Sequence, residues 1–164
     1  SLDQRAPALD SAVAAFLEQQ SHPNADNLHL AIDVLAANGS EPAIAVLERA
    51  LSSTNQEPEN VTGWMRDPIL RHRQDVPLLK ACERLLKGSA LSPELKQSLV
   101  EVLFDYRPEK WYPPDSDRPS PPQRSAAAPE ARAVLKEIGD WALQQESLPK
   151  DLRAKVQAEL AKLK

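Results

Sequence analysis

Apolar residues recur at intervals of three and four along most of the chain, which is the spacing of one face of an α-helix. The first such stretch runs from about residue 8 to 20, and its apolar face is formed by Leu9, Val13, Phe16 and Leu17. The sequence has no sustained alternation of apolar and polar residues bounded by hairpin turns. The pattern therefore predicts an all-α protein without a major sheet.

Turn and capping residues divide the rest of the chain into three pairs of helices. The first pair covers about residues 25–53, and Gly39 followed by Ser40 marks the turn between its two helices. The second pair covers about residues 75–107, and the third covers residues 129–164. Because very short connections join the two helices of a pair, each pair is predicted to form an antiparallel hairpin.

The second and third hairpins have clear signals for the start and end of each helix. Asp75 is predicted to cap a helix that Gly88 ends, and Ser92 is predicted to cap the next one. Pro129 and Pro149 open the two helices of the third hairpin. The predicted buried face of these four helices consists of Leu78, Leu79, Cys82, Leu85, Leu86, Leu95, Leu99, Val102, Leu103, Tyr106, Val134, Leu135, Ile138, Trp141, Leu152, Val156, Leu160 and Leu163.

The stretch LAIDVLAANGSEPAIAVLERAL, from Leu30 to Leu51, resembles one HEAT-type repeat. It combines a helix rich in Ala and Leu, a turn centred on glycine and a second helix opened by proline. The three hairpins are spaced by about fifty residues, whereas HEAT repeats span roughly 40–47. The length of 164 residues predicts a single helical domain over residues 1–164, and three consecutive hairpins predict a short α-solenoid of stacked hairpins. The resemblance implies a scaffold that binds other proteins and has no active site.

Two segments interrupt the helical pattern, residues 54–74 and residues 108–128. Each follows the second helix of a hairpin, and equivalent connections of a stacked array emerge along the same edge. Each segment carries one tryptophan together with arginines and prolines, and tryptophan and arginine are enriched in binding hot spots. We therefore predict a partner-binding surface formed by Trp64, Arg66, Arg71, His72, Arg73, Trp111, Tyr112 and Arg118.

The first of these segments has a second interpretation. Residues from Val61 to Arg73 can form one helix that Pro68 bends or breaks, because a connection of twenty residues inside a compact domain often hides a helix. Trp64 would then lie in the core. The sequence alone does not decide between a helix and a loop for this segment.

The second segment is dominated by proline. Seven of the 15 prolines fall between residues 108 and 129, which predicts a polyproline-like strap without regular helix. We expect Trp111 and Tyr112 to dock the start of this strap on the helices. The letters PSPPQR, from Pro119 to Arg124, also fit the PxxPxR form that SH3 domains bind.

Charge and composition argue against several classes of function. The formal net charge is −4 and the basic residues are scattered, so no nucleic-acid binding is predicted. No apolar run approaches the roughly eighteen residues of a membrane span, so no membrane insertion is predicted. The three histidines are far apart, glycine occurs four times, and the single cysteine, Cys82, is expected to be buried and inert. Neither a metal site nor a cofactor is predicted.

The main functional hypothesis is a non-enzymatic interaction or scaffold module that binds another protein or peptide, with no catalytic residues. The alternative is an anion-binding or small-ligand domain, or an enzyme, with a pocket around Trp64, Arg71 and His72. Polar residues are dense there, and histidine titrates near neutral pH. The partner and the oligomeric state stay open.

The first residues bear on cellular location. The chain begins Ser1-Leu2-Asp3, and its sole methionine is Met65. We expect that an upstream segment has been removed and that these residues belong to a longer protein. An extracytoplasmic location is one expectation that follows, and a cytoplasmic location stays open.

Overall fold

A computed structural model describes residues 11–13, 15–16, 66–67, 69–71, 73–89, 91–111, 114, 120, 123–124 and 126–163. The regular structure of these residues is helical, and they include no strand, so the predicted all-α class is confirmed. The predicted hairpin over residues 25–53, with Gly39 and the HEAT-like stretch, lies outside the described residues.

Five helices follow one another in the second half of the chain. They are α1 (Val76–Lys87), α2 (Pro93–Phe104), α3 (Pro108–Trp111), α4 (Pro129–Leu143) and α5 (Lys150–Lys162). Helical backbone also occurs at residues 11–13, 15–16, 66–67 and 69–71. The described part of segment 54–74 is therefore helical up to Arg71, and Ile69 and Leu70 are fully buried there.

Ser92 caps helix α2 as predicted. Its hydroxyl oxygen accepts a hydrogen bond from the Leu95 N–H at 3.3 Å, and Pro93 and Glu94 occupy the first turn. A side-chain acceptor at this position satisfies one of the amides that have no partner within the helix.

Asp75 precedes α1 at the predicted position, but its side chain makes no capping hydrogen bond. Its carbonyl instead accepts the Leu79 N–H at 3.1 Å. Pro77 is the second residue of the helix, and proline removes one of the two amides that a capping side chain normally reaches. The predicted start of the helix is therefore correct, whereas the predicted hydrogen bond from the Asp75 side chain is missing.

The prediction that the proline-rich segment contains no regular helix is wrong for its first four residues. Pro108 to Trp111 form the single turn of α3. A proline fits the first position of a helix because the amide it lacks would have no partner there anyway. The expected docking of Trp111 and Tyr112 concerns side chains that lie outside the described part of the structure.

The four longer helices pack in a closed ring. Helix α1 contacts α2 and α4, and helix α5 also contacts both α2 and α4. Short connections, residues 88–92 and 144–149, join α1 to α2 and α4 to α5. The facing sides form one apolar core that includes Leu78, Cys82, Leu103, Phe104, Leu135, Ile138, Leu152 and Val156.

Cys82 belongs to this core and is fully buried, as predicted. Burial raises the pKa of the Cys82 thiol to about 12, because the charged thiolate loses its hydration. The thiol is therefore protonated at neutral pH and has the environment of an unreactive core side chain.

Gly139 sets how closely α4 and α5 approach. A Cβ atom built on Gly139 would lie 2.7 Å from Cδ2 and 3.0 Å from Cγ of Leu160. The Leu160 side chain therefore occupies the space that any larger residue at position 139 would need. Glycine in a helix interior costs roughly 1 kcal/mol relative to alanine, and at position 139 it leaves room for the Leu160 side chain.

We expect Gly139→Ala to lower the free energy of unfolding by about 1 kcal/mol, because overpacking costs about 1–3 kcal/mol and alanine regains only about 1 kcal/mol of helix propensity. In a Leu160→Ala background the same change should raise stability by about 1 kcal/mol. Urea unfolding of the four chains measures both effects. A stabilising Gly139→Ala in the parent chain would contradict the close approach of the two helices.

Ser92→Ala should lower the free energy of unfolding by about 0.5–2 kcal/mol through loss of the cap on α2. Ser89→Ala serves as the matched control, because Ser89 is exposed in the preceding connection and caps no helix. Thermal and urea unfolding compare the two variants. Equal stability of both would show that the hydroxyl of Ser92 does not hold the first turn.

Candidate functional site

The structure describes three side chains of the predicted partner-binding surface. Arg66 and Arg73 are 8% and 5% exposed, whereas Arg71 is exposed. The remaining members of that surface lie outside the described side chains: Trp64, His72, Trp111, Tyr112 and Arg118. The predicted surface and the alternative pocket around Trp64, Arg71 and His72 both stay predictions.

Arg73 is engaged inside the protein. Its guanidinium donates to the main-chain oxygen of Leu103 at 3.4 Å, and the guanidinium of Arg124 donates to the same oxygen at 3.2 Å. Leu103 lies in the last turn of α2, where carbonyls have no partner within the helix and carry the negative end of its dipole. The two arginines therefore close the C-terminal end of α2.

Ion pairs extend this arrangement to α5. Arg124 Nη2 lies 2.9 Å from a carboxylate oxygen of Glu159, and Asp105 pairs with Arg107 at 2.7 Å and with Lys155 at 3.5 Å. The Asp105 side chain is only 6% exposed. We call the whole group the polar junction; it consists of Arg73, Asp105, Arg107, Arg124, Lys155 and Glu159.

Electrostatic shifts reflect the crowding of charges in the polar junction. Burial, and then the like charge of Arg124, lower the pKa of Arg73 to about 10, so its guanidinium stays charged at neutral pH. Burial tends to raise the pKa of Glu159, but a hydrogen bond from Lys162 and the charges of Arg124 and Arg73 outweigh it. The pKa of Glu159 is lowered as a result.

The contacts of the polar junction connect several elements of the fold to one another. The Nε atoms of Arg73, Arg107 and Arg124 are buried without a hydrogen-bond partner, while their terminal nitrogens bind carbonyl and carboxylate oxygens. Guanidinium groups keep their proton at physiological pH and are poor acids and bases. The group joins the chain before α1, the end of α2, the chain before α4 and the C-terminal half of α5.

A cleft of about 190 Å³ lies where the two short connections meet. Leu91 and Pro93 come from the start of α2 and the chain before it, and Trp141 and Ala142 come from the end of α4. The remaining lining residues are Lys96, Gln97, Val100, Gln145, Ser147 and Leu148. The polar junction instead involves the end of α2 and the chain before α4.

The floor of the cleft is apolar and its rim is polar. Leu91, Val100, Ala142 and Leu148 are buried, whereas Trp141 is only partly buried and packs against the core from the side. The combination of an apolar floor with a partly accessible indole is typical of a binding site for an apolar group.

Hydrogen bonds hold the walls of the cleft in place. The Gln145 side-chain amide donates to the Trp141 carbonyl at 3.1 Å, and Arg153 Nη2 on α5 donates to the Gln145 carbonyl at 2.7 Å. Arg153 also donates to the carbonyl of Leu143, so it closes the end of α4 as the other arginines close α2. On the facing wall, the Lys96 ammonium donates to the carbonyl of Gly88.

The sequence did not reveal this cleft. Trp141 fits the helical repeat of α4 and was predicted as a core residue, but it lies in the last turn, where the cover of neighbouring helices ends. The available sequence signal is its position three residues before Gln144, where the polar residues of the connection begin. Its pairing with residues of the other connection depends on how α1 and α5 each pack against both α2 and α4, which no local pattern encodes.

Two further observations concern the described part of the chain alone. It contains no group of three or more His, Cys, Asp or Glu side chains placed to hold a metal ion. None of its helices has both the length and the apolar character that a membrane span requires.

Glu159→Gln should lower the free energy of unfolding at pH 7 by about 1–3 kcal/mol, because it removes the charge that pairs with the partly buried Arg124. The folded-state pKa of Glu159 is lowered, so its stabilisation is present above the ordinary glutamate pKa and is lost as the pH falls through the lowered value. The difference between the two chains should therefore shrink towards zero in acid. Urea unfolding at several pH values measures it.

Glu137→Gln provides the control, because Glu137 is an exposed carboxylate on α4. We expect it to change stability by less than about 0.5 kcal/mol at every pH. If Glu159→Gln had the same stability as the parent chain at pH 7, the ion pair between Glu159 and Arg124 would not stabilise the fold.

No family model, no curated protein and no solved structure matches the chain. Among the described features, the polar junction is occupied by contacts between its own side chains. The cleft beside Trp141 has an apolar floor that is open to a ligand, and it is therefore the candidate functional site.

Proposed function

We propose that the chain is a non-enzymatic interaction module that binds a segment of another protein, built as a short HEAT-like α-solenoid. The observation that carries the proposal is the cleft beside Trp141, where an apolar floor and a partly buried indole meet a polar rim. Protein-binding sites commonly place a single large side chain in a pocket of this kind.

The helix contacts support the solenoid part of the proposal. In a stack of two hairpins, the first helices of each hairpin touch and so do the second helices. The contacts of α1 with α4 and of α2 with α5 have this arrangement, and the contacts of α1 with α2 and of α4 with α5 are those within each hairpin. A four-helix bundle can produce the same set of contacts, so the proposal of a solenoid adds the expectation that further hairpins stack on the ring.

The size of the cleft favours a peptide side chain over a metabolite. Its volume of about 190 Å³ is below the roughly 300–1,000 Å³ of sites that enclose small molecules and cofactors. A space of this size accepts one anchoring side chain, while the rest of a peptide would lie along the rim.

The lining of the cleft also fits binding better than catalysis. Lys96 is its one ionisable side chain, and the other polar members are two glutamines and a serine. A general acid–base mechanism needs a titratable group with a pKa near neutrality in reach of the substrate. The lining supplies no pair of such groups.

The proposal is tested by selecting peptides from a random 12-residue display library on the immobilised 164-residue chain. Selected peptides should bind at least about tenfold more weakly to Trp141→Ala, because loss of an aromatic hot-spot contact typically costs about 2 kcal/mol or more. Titration calorimetry of synthetic peptides with both chains measures the change, and circular dichroism checks that the variant is folded.

Phe16→Ala is the matched control, since Phe16 is an exposed aromatic residue, 40% accessible, that does not line the cleft. It should bind the selected peptides like the parent chain. Failure to select any peptide, or equal binding by the parent chain and Trp141→Ala, would contradict the proposed function of the cleft.

A further inference from the structure

We infer that the partner of the cleft is an acidic peptide segment, in which one large apolar side chain enters the cleft and a neighbouring Asp or Glu side chain pairs with Lys96. This inference rests on the proposed function, since it names the chemistry of the partner for the same site. It depends on the charges of the rim and on the small size of the cleft.

The charge of the lining has one sign. Among the described residues that line the cleft, Lys96 is the only charged side chain and none is a carboxylate. The cleft also lies beside the first turn of α2, through Pro93, Lys96 and Gln97. That end of a helix carries the positive end of its dipole, which adds to the positive charge of Lys96.

Lys96 retains hydrogen-bonding capacity for a ligand. Its ammonium group has three donor hydrogens, and the structure uses one of them for the carbonyl of Gly88. That bond holds the head of a flexible side chain at the rim, so less conformational entropy is lost when a carboxylate binds there. Uncharged amides from Gln97 and Gln145 complete the polar rim.

The surrounding carboxylates limit where the acidic group of the partner can lie. Glu94 and Glu146 are exposed, and each directly adjoins residues of the lining without lining the cleft itself. They would repel a uniformly acidic strand along the whole rim. The charges around the cleft therefore favour a partner with one acidic residue immediately beside its apolar anchor, on the Lys96 side of the cleft.

Two amidated and acetylated heptapeptides test the inference, Gly-Ser-Asp-Leu-Asp-Ser-Gly and Gly-Ser-Lys-Leu-Lys-Ser-Gly. Binding to the 164-residue chain is followed by NMR through the indole N–H signal of Trp141, which suits weak affinities. At low salt the Asp peptide should bind about two- to fivefold more tightly than the Lys peptide, as expected for a partly exposed ion pair. The difference should fall in 0.5 M NaCl.

Charge-reversal variants test whether Lys96 causes the preference for the Asp peptide. Lys96→Glu should invert the preference, so that the Lys peptide binds more tightly. Ser147→Glu provides a second route, because it places a carboxylate in an exposed position of the lining, leaves Lys96 intact and should remove the preference for Asp. Lys136→Glu is the control on an exposed site of α4 outside the lining and should leave the order unchanged.

Each contrary result overturns a defined part of the inference. Equal binding of the two peptides, or an unchanged order in Lys96→Glu, would exclude the acidic partner while the interaction module stands. Tighter binding of a peptide with a free carboxylate on a terminal Leu would replace the acidic side chain by a chain terminus. A dimer in sedimentation that neither peptide dissociates would make a second copy of the chain the occupant. If neither peptide shifts the Trp141 signal and no library peptide binds, the proposed function fails as well.

Discussion

Helix α2 ends inside the protein and the last turn of α4 is partly buried, so the final carbonyls of both helices need hydrogen-bond donors from elsewhere in the chain. The last carbonyls of a helix have no partner within it, and a buried carbonyl left unpaired is costly. Arg73 and Arg124 supply donors to α2, and Arg153 supplies them to α4. An arginine can reach such an end over a long apolar stem and bring positive charge to the negative end of the dipole. These three side chains attach the chain before α1 and the chain before α4 to the end of α2, and α5 to the end of α4.

The sequence predicted best those features that are encoded within a few residues. The cap of α2 needs only Ser92 and the amide of Leu95, and both the position and the hydrogen bond are as predicted. The same kind of signal at Asp75 gave the helix start without the bond, because the neighbouring Pro77 removes a donor. Arg73 was predicted as a surface residue, since its partner Leu103 lies 30 residues further along the chain and no local pattern connects them.

The candidate site shows the same limit. The repeat of apolar positions correctly placed Trp141 on the inner face of α4, but the indole is only partly covered because the helix ends there. The cleft exists because Leu91 and Leu148, from two separate connections, come together beside it. The proximity of these two connections depends on which helix ends are neighbours in space. That information lies in the contacts of α1 and α5 with both α2 and α4, whereas the sequence pattern fixes only the inner and outer faces of each helix.

The polar junction has a consequence for how the chain can vary in length. Arg107 pairs with Glu101 and Asp105, and Arg124 binds Leu103, so the residues that flank segment 108–123 are both attached to the last turn of α2. The ends of this segment therefore stay together whatever the number of residues between them. Closing a flexible loop costs only about 0.6 kcal/mol more for each doubling of its length. Insertions between the two arginines, including grafts of foreign sequence, should thus have little effect on the helical core.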